Sequence, residues 1–553
     1  MRFTVTHGSA NRGGSSTGLD VDPTSVALLD GSCPLSRQEL GNKAHGINLI
    51  RRLGLPVPPA FCLTTAVCTA FLSGDQRALD RVWPDVLESL RWLERETSRT
   101  FGRGPRPLLL SVRSGAAQSM PGMLDTVLDL GMDDDVQDAM ASSATPGFAS
   151  DTRARFDSMY RRIVLGSDES ADIPDDPFLQ LRGAIEAVFA SWNSPRATAY
   201  RARHGLDGNA GTAVVIQAMV FGNLGGHSGT GVLFSRNPVT GADEPLGEWL
   251  PCAQGEDVVS GTYDCLPLNA LRDAQPDVYG ELLTAAAELE RFGRDVQDVE
   301  FTVEEGRLWL LQTRVAKRSP QAAVRLALKF RSSGVIDDLE TAQRVTPDHV
   351  RALLSPSLQP DTCSAATLLA KGLPASPGVA FGTAHTDIDD AIDAADAGED
   401  VILVRISTSP DDVAGMLAAK AVVTEIGGAT SHAAVVSREL GLPAVVGCGA
   451  GVAAALEGRS VTVDGGAGEV YDGALEVAAW SERDSPELTE LTAIALRVSP
   501  LRVHTAGAHP KLSATTEAAV HEAVSAGRTD VVSDAPLIAM LTAVALAGRS
   551  EDG

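Results

Sequence analysis

No two cysteines in the chain are spaced as C-x-x-C, and the seven present, at 33, 62, 68, 252, 265, 363 and 448, are odd in number. They indicate neither a disulfide framework nor a cysteine-based zinc site. No apolar run approaches the ~20 residues of a membrane span. The opening MRFTVTHGSANRGGSSTG lacks the apolar stretch of a signal peptide, and a cytoplasmic location is expected. Basic residues are few: 46 Lys and Arg against 72 Asp and Glu leave a formal charge of −26. That balance argues against nucleic acid or an anionic membrane as partner. It leaves room for phosphate ligands, which a local cluster of Arg and Lys can hold in an acidic protein. The common nucleotide motifs are missing as well. There is no G-x-x-x-x-G-K-[ST], and no G-x-G-x-x-G after a strand. Internal repeats and long low-complexity tracts are absent.

What is present is a globular composition, 44% hydrophobic and 21% charged, over 553 residues, too long for one core. Alternating strand and helix patterns predict an α/β multidomain chain. Residues 1–35, rich in Gly, Ser and Asp, read as a flexible leader. Residues 36–316 read as one domain, which opens with LGNKAHGINLIRRLGLPVPPAF, a helix ended by Gly54 and the Pro56, Pro58, Pro59 cluster. Strands are predicted at RPLLLSV (106–112) and TAVVIQAMV (212–220). A helical connector and linker (317–366) leads to a compact β/α unit (367–475), and a tail (476–553) carries LRVHTAG, TTEAAVHEAVSAG and an apolar end.

Residues 427–449, GGATSHAAVVSRELGLPAVVGCG, are the most informative segment. A Gly-Gly turn runs into a Thr-Ser-His helix start, which places His432 in the first turn. Free backbone N–H groups and the helix dipole favour negative charge there, a setting that suits a histidine bearing a phosphoryl group. VQDVEFTVEEGRLWLLQTR (296–314) predicts a hairpin turning at Glu-Glu-Gly. Period-two spacing puts Asp298 and Glu300 on one face, with Gln312 and Arg314 spaced alike across the turn. Such a set can hold Mg2+ and phosphates together, or be a solvated, ion-paired hairpin. Arg113 follows the strand LLLSV and opens SVRSGAAQSMPGMLDT, whose small residues admit backbone–phosphate approach.

Seven ordered segments carry a resemblance: LGLPVPPAFCLTT, LLLSVRSGAAQSMPGMLDTVLDLG, QAMVFGN, SGTGVLFSRNPVTG, AQGEDVVSG, the hairpin and the His432 segment. Together they resemble the pyruvate, phosphate dikinase family of phosphoenolpyruvate-utilising enzymes over residues 39–475. The resemblance implies an ATP-grasp nucleotide-binding unit followed by a swivelling phosphohistidine domain, hinged near 354–366. By it, Lys43 and Arg113 contact ATP phosphates, and Asp298, Glu300, Gln312 and Arg314 line the phosphate and metal site, with Glu300 and Gln312 as Mg2+ ligands. His432 then takes the βγ-diphosphate of ATP and releases AMP. Inorganic phosphate removes the outer phosphoryl group, and the remaining one passes to an acceptor. Thr430 matches a threonine whose phosphorylation silences some members; as residue chemistry alone, it reads equally as a helix cap.

The pattern also departs from the family. A pyruvate-binding barrel needs at least ~200 residues, and only 476–553 follow the histidine domain. That tail resembles the first strand, helix and second strand of such a barrel, yet Ser533-Asp534-Ala535-Pro536-Leu537 stands where the family carries a substrate-binding arginine. The expected enzyme is therefore a short form, whose acceptor is a partner protein or a pyruvate-binding partner. Gly41-Asn42-Lys43-Ala44 replaces Gly-Gly-Lys-Gly, and Ser407 replaces an acidic residue. Two other readings remain: an antibiotic-type small-molecule phosphotransferase, for which 318–366 is too short to hold an acceptor domain, and a non-catalytic nucleotide-binding regulator.

Overall fold

A computed structural model describes residues 25–551, apart from 76, 119, 121–122, 143–146, 167–170, 260–262, 264, 355–356, 359 and 479–484. Most of the expected leader lies outside the described residues. Its end, Val26–Leu28, is an edge strand of the first sheet, so part of the expected leader belongs to the fold.

The architecture is α/β and multidomain, as expected. Two five-stranded antiparallel sheets face the same cavity. The first is ordered Val26–Leu28, Ala60–Leu63, Ala213–Ala218, Leu110–Gly115, Thr126–Leu130. The second is ordered Leu266–Pro267, Leu246–Pro251, Gly229–Phe234, Gln297–Glu304, Arg307–Val315. Central strands such as Ala213–Ala218 are buried along their whole length, which is why they read as unbroken β-branched runs. The predicted strand at 106–112 is broken at Leu109 and continues as Leu110–Gly115. Arg113 therefore sits within a strand, paired with Val215 and Thr126, and does not follow one.

The opening helix spans Arg37–Arg52, started by a Ser36–Glu39 capping box and ended by Gly54 at φ 71°. It is kinked at Gly41, where φ is 71° and an added Cβ would fall 1.6 Å from the Gly115 carbonyl oxygen. Only glycine permits that approach, which brings the next turn, carrying Lys43, against the strand of Arg113.

Residues 368–472 form an eight-stranded sheet whose central strands Val379–His385, Val401–Arg405, Ala421–Thr424 and Ala444–Val446 run parallel. Ser460–Asp464 and Glu469–Asp472 extend it on one side, and Leu368–Lys371 and Leu373–Ser376 form its two edges. The connector and the tail, separate in the sequence, share one core in which Val324, Ala327 and Val350 pack with Leu491, Leu537 and Leu541. Between them the chain leaves and re-enters through two short strands, Ser357–Leu358 and Val477–Ala478, paired with each other. The tail contains the expected strand, helix and strand, Arg502–His504, Glu517–Ser525 and Asp530–Val532, with its strands parallel.

Candidate active site

The hairpin folds as its alternation predicts. Gln297–Glu304 and Arg307–Val315 turn at Glu305-Gly306, both at positive φ, which suits a tight hairpin. The register pairs Asp298 with Arg314 and Glu300 with Gln312. Past that pair Phe301 stands opposite Leu310, so Leu311 is an extra residue, and it lines the cavity.

These side chains meet Arg113 across the gap between the sheets. Arg113 Nη2 donates to Glu300 Oε2 at 3.1 Å and to Gln312 Oε1 at 3.2 Å, while Nη1 donates to Gln217 Oε1 at 3.4 Å. Gln312 Nε2 donates to Glu300 Oε1. Arg314 Nε donates to Asp298 Oδ2 at 2.8 Å. Burial raises the Asp298 carboxyl above its ordinary value, with Arg314 opposing, and the Asp298 carboxylate in turn raises Arg314. Burial brings the Lys43 ammonium down to about 7, helped by Arg113 and Arg314. Lys43 thus gives up its charge readily until an anion arrives to hold it.

His432 begins the helix His432–Leu440, which Ser431 caps at its N-terminus and Gly441, at φ 67°, ends. Ser431 is the cap, so Thr430 is not. Thr430 Oγ1 instead donates to Glu248 of the second sheet, and the backbone amides of Ala429 and Thr430 also bond that carboxylate. A Cβ on Gly428 would lie 1.8 Å from Glu248 Oε1, so Glu248 rests directly on the Gly-Gly turn. Farther along the helix, Glu439 accepts from Tyr200 at 2.7 Å and from Lys317 at 3.0 Å. Through these contacts the 367–475 unit is held against the two antiparallel sheets.

The His432 imidazole hydrogen-bonds Thr408 Oγ1 through Nδ1 at 3.1 Å. Its Nε2 is buried and has no hydrogen-bond partner among the described residues. Burial lowers the ring to about 4, with Asp412 opposing, so it is neutral at pH 7. A neutral ring that donates Nδ1–H to Thr408 presents a lone pair on Nε2.

One cavity of roughly 1040 Å³ joins these parts, lined by Lys43, Arg113, Glu300, Gln312, Arg314 and His432 among others. Its size suits a nucleoside triphosphate. Of the residues expected to form a site, Lys43, Arg113, Glu300, Gln312, Arg314, Thr430 and His432 line it; Asp298 does not, and lies buried against Arg314. Glu300 and the Gln312 amide offer hard oxygen donors of the kind Mg2+ takes, and Arg113 donates to both here. Ser119, Pro121 and Gly122 of the small-residue segment fall outside the described residues, as do Ser260 and Gly261 of AQGEDVVSG.

Sequence reasoning missed three contributors. Thr408 follows Ser407 in the run RISTSPDD, and Gln217 stands in QAMVFGN, but neither type announces a role. Glu248 gave no local signal, because its partner is 182 residues away.

Comparison with known proteins bears on the same two halves. The pyruvate phosphate dikinase AMP/ATP-binding domain matches residues 79–265, and the mobile domain of PEP-utilising enzymes matches 397–468. The pyruvate, phosphate dikinase of Clostridium symbiosum is 37% identical over 524 aligned residues, covering 85% of this chain and 60% of its own. The chain belongs to the pyruvate, phosphate dikinase family. Its relative in Rhizobium meliloti is 40% identical, over 79% of this chain and 56% of that one. Pyruvate, phosphate dikinase 2 of Zea mays is 40% identical, over 74% and 51%. The chain spans about half the length of the curated relatives it matches. Arg113, Gln217 and Glu248 fall in the nucleotide-binding match and Thr408, Thr430 and His432 in the mobile-domain match, so the cavity is where the two family domains meet.

Proposed function

We propose that this chain is a phosphotransferase of the pyruvate, phosphate dikinase type that phosphorylates its own His432 from ATP. The supporting observation is that a neutral histidine with an unpartnered Nε2 lines the same cavity as Lys43, Arg113, Glu300, Gln312 and Arg314. Lys43, Arg113 and Arg314 neutralise the triphosphate and hold it in place; Arg113 leaves Glu300 and Gln312 to do so. Glu300 and Gln312 would hold Mg2+, which would supply charge neutralisation across the phosphates. The Nε2 lone pair forms a bond to the β-phosphorus, the bond from that phosphorus to the α–β bridging oxygen breaks, and AMP leaves. Thr408 accepts the Nδ1 proton's hydrogen bond and steadies the ring as its positive charge grows.

Inorganic phosphate then attacks the outer phosphorus, releasing pyrophosphate and leaving phosphohistidine. The remaining phosphoryl group passes to an acceptor, pyruvate in a pyruvate-binding partner or an acceptor protein, reached when the 367–475 unit swings on its paired linkers. Thr430 is the regulatory position: a phosphate on its hydroxyl would face the Glu248 carboxylate and repel the docked unit.

The test is single-turnover AMP release by purified protein with Mg2+ and ATP. AMP stoichiometric with protein, and its loss in His432→Ala with nucleotide binding retained, is the expected result. AMP release that persists in His432→Ala rules the assignment out.

A further inference from the structure

The strands Arg502–His504 and Asp530–Val532 lie in the C-terminal body, and none of their residues lines the cavity above. Their register pairs Arg502 with Asp530 and His504 with Val532, so alternation puts His504 and Asp530 diagonally on one face. His504 Nε2 and Asp530 Oδ1 are 3.0 Å apart. The other carboxylate oxygen accepts from Thr529 Oγ1 at 3.0 Å, which fixes its orientation. Beyond His504 the chain loops out and returns beside Val532, whose N–H donates to the Pro510 carbonyl at 2.9 Å while its carbonyl accepts from Leu512 N–H at 2.9 Å. That return sets His509 over His504, with ring centroids 4.6 Å apart and planes 15° from parallel. Donor atoms of His504, His509 and Asp530 all lie within 4.8 Å of one another.

An ion pair between His504 and Asp530 needs no third side chain. The loop nonetheless returns an exposed imidazole to the same spot. We propose that His504, His509 and Asp530 bind one divalent transition-metal ion of the zinc class. Two imidazole nitrogens and one carboxylate oxygen suit Zn2+, Co2+ or Ni2+ and do not suit Mg2+ or Ca2+. Tetrahedral bonds of about 2.0–2.1 Å place donors roughly 3.4 Å apart, so side-chain rotation of about 1 Å closes the set. The metal replaces the proton between His504 and Asp530, Thr529 keeps the carboxylate oriented, and water completes the shell. Such an ion would tie the 505–511 loop to the strand pair.

The experiment is a Co2+ titration of the full chain in excess Mg2+, followed by visible absorption and then by Zn2+ displacement. One Co2+ per chain with visible d–d bands, displaced by one Zn2+, is expected. His509→Ala and Asp530→Asn should each weaken binding at least about tenfold. His509 is exposed, so its removal leaves the strand pair and the His504–Asp530 contact in place. Absence of saturable Co2+ binding overturns the proposal. So does a spectrum and affinity unchanged in His509→Ala, because the ion would then sit elsewhere.

Discussion

At the residue scale, the site works through protonation states that burial sets. Lys43, brought down to about 7 in the free protein, must be charged to hold a phosphate. Polyphosphate binding raises its pKa, so above pH 7 binding takes up a proton and weakens by up to about tenfold per pH unit. Calorimetry at pH 8 in buffers of different ionisation enthalpy measures that uptake; it should vanish in Lys43→Met. His432 behaves in the opposite sense from a protonated switch: lowered to about 4, it stays neutral from pH 5 upward. AMP release should therefore show no acid limb near pH 6.5. Thr408→Val removes the Nδ1 hydrogen bond, worth about 1–1.5 kcal/mol, and should slow AMP release roughly five- to tenfold at unchanged ATP affinity. His432 was legible because its glycines, its helix start and its neighbours in sequence are all local. Thr408 was not, since a hydroxyl 24 residues away declares itself only when two strands bring it to the ring.

At the scale of elements, the hairpin and the kinked first helix build one wall of the cavity and the His432 helix builds the other. The hairpin was legible as two strands and a turn, but its register at the site was not: the extra residue Leu311 shifts the pairing beyond Phe301 and Leu310, so Glu300 meets Gln312. The Arg113 strand was legible as a strand but not at its end, where three further residues pair with Ala213–Val215. Docking between the walls was not legible at all, as it depends on Glu248 meeting Gly428 and Thr430 across 182 residues of chain. The contact nevertheless has a sharp consequence. In Gly428→Ala the added methyl would sit 1.8 Å from Glu248 Oε1, so the carboxylate must turn aside, give up Thr430 and release the 367–475 unit from that contact. A displacement of about 1 Å costs roughly a hundredfold in a transfer step, so AMP release should fall by that order while ATP binding persists. Combining Gly428→Ala with Glu248→Ala should restore part of the rate; a double variant no faster than the single one would show that Glu248 is not the obstacle.

At the scale of the molecule, an acidic chain gathers Lys43, Arg113, Arg314, Arg162 and Arg196 around one cavity. Net charge alone argued against nucleic acid or an anionic membrane as partner but could not reveal this local reversal. The order of the two family domains was legible through the resemblance that the seven ordered segments carry. The shared core of the connector and the tail was not, because 132 residues lie between Leu353 and Pro486, and only tertiary packing brings Val350 to Leu541. That arrangement leaves the 367–475 unit attached through the paired strands Ser357–Leu358 and Val477–Ala478 alone in sequence, with Glu248, Tyr200 and Lys317 holding it at the cavity. The central claim is that His432 receives phosphoryl groups from ATP in that docked position. Incubation with Mg2+ and ATP labelled at the β-phosphate, with and without inorganic phosphate, tests it most directly. The account predicts acid-labile label on the protein, absent in His432→Ala, retained as phosphate is added while labelled at the γ-position it is lost as pyrophosphate. A folded protein that takes up no β-label, or takes it up equally in His432→Ala, would contradict the account.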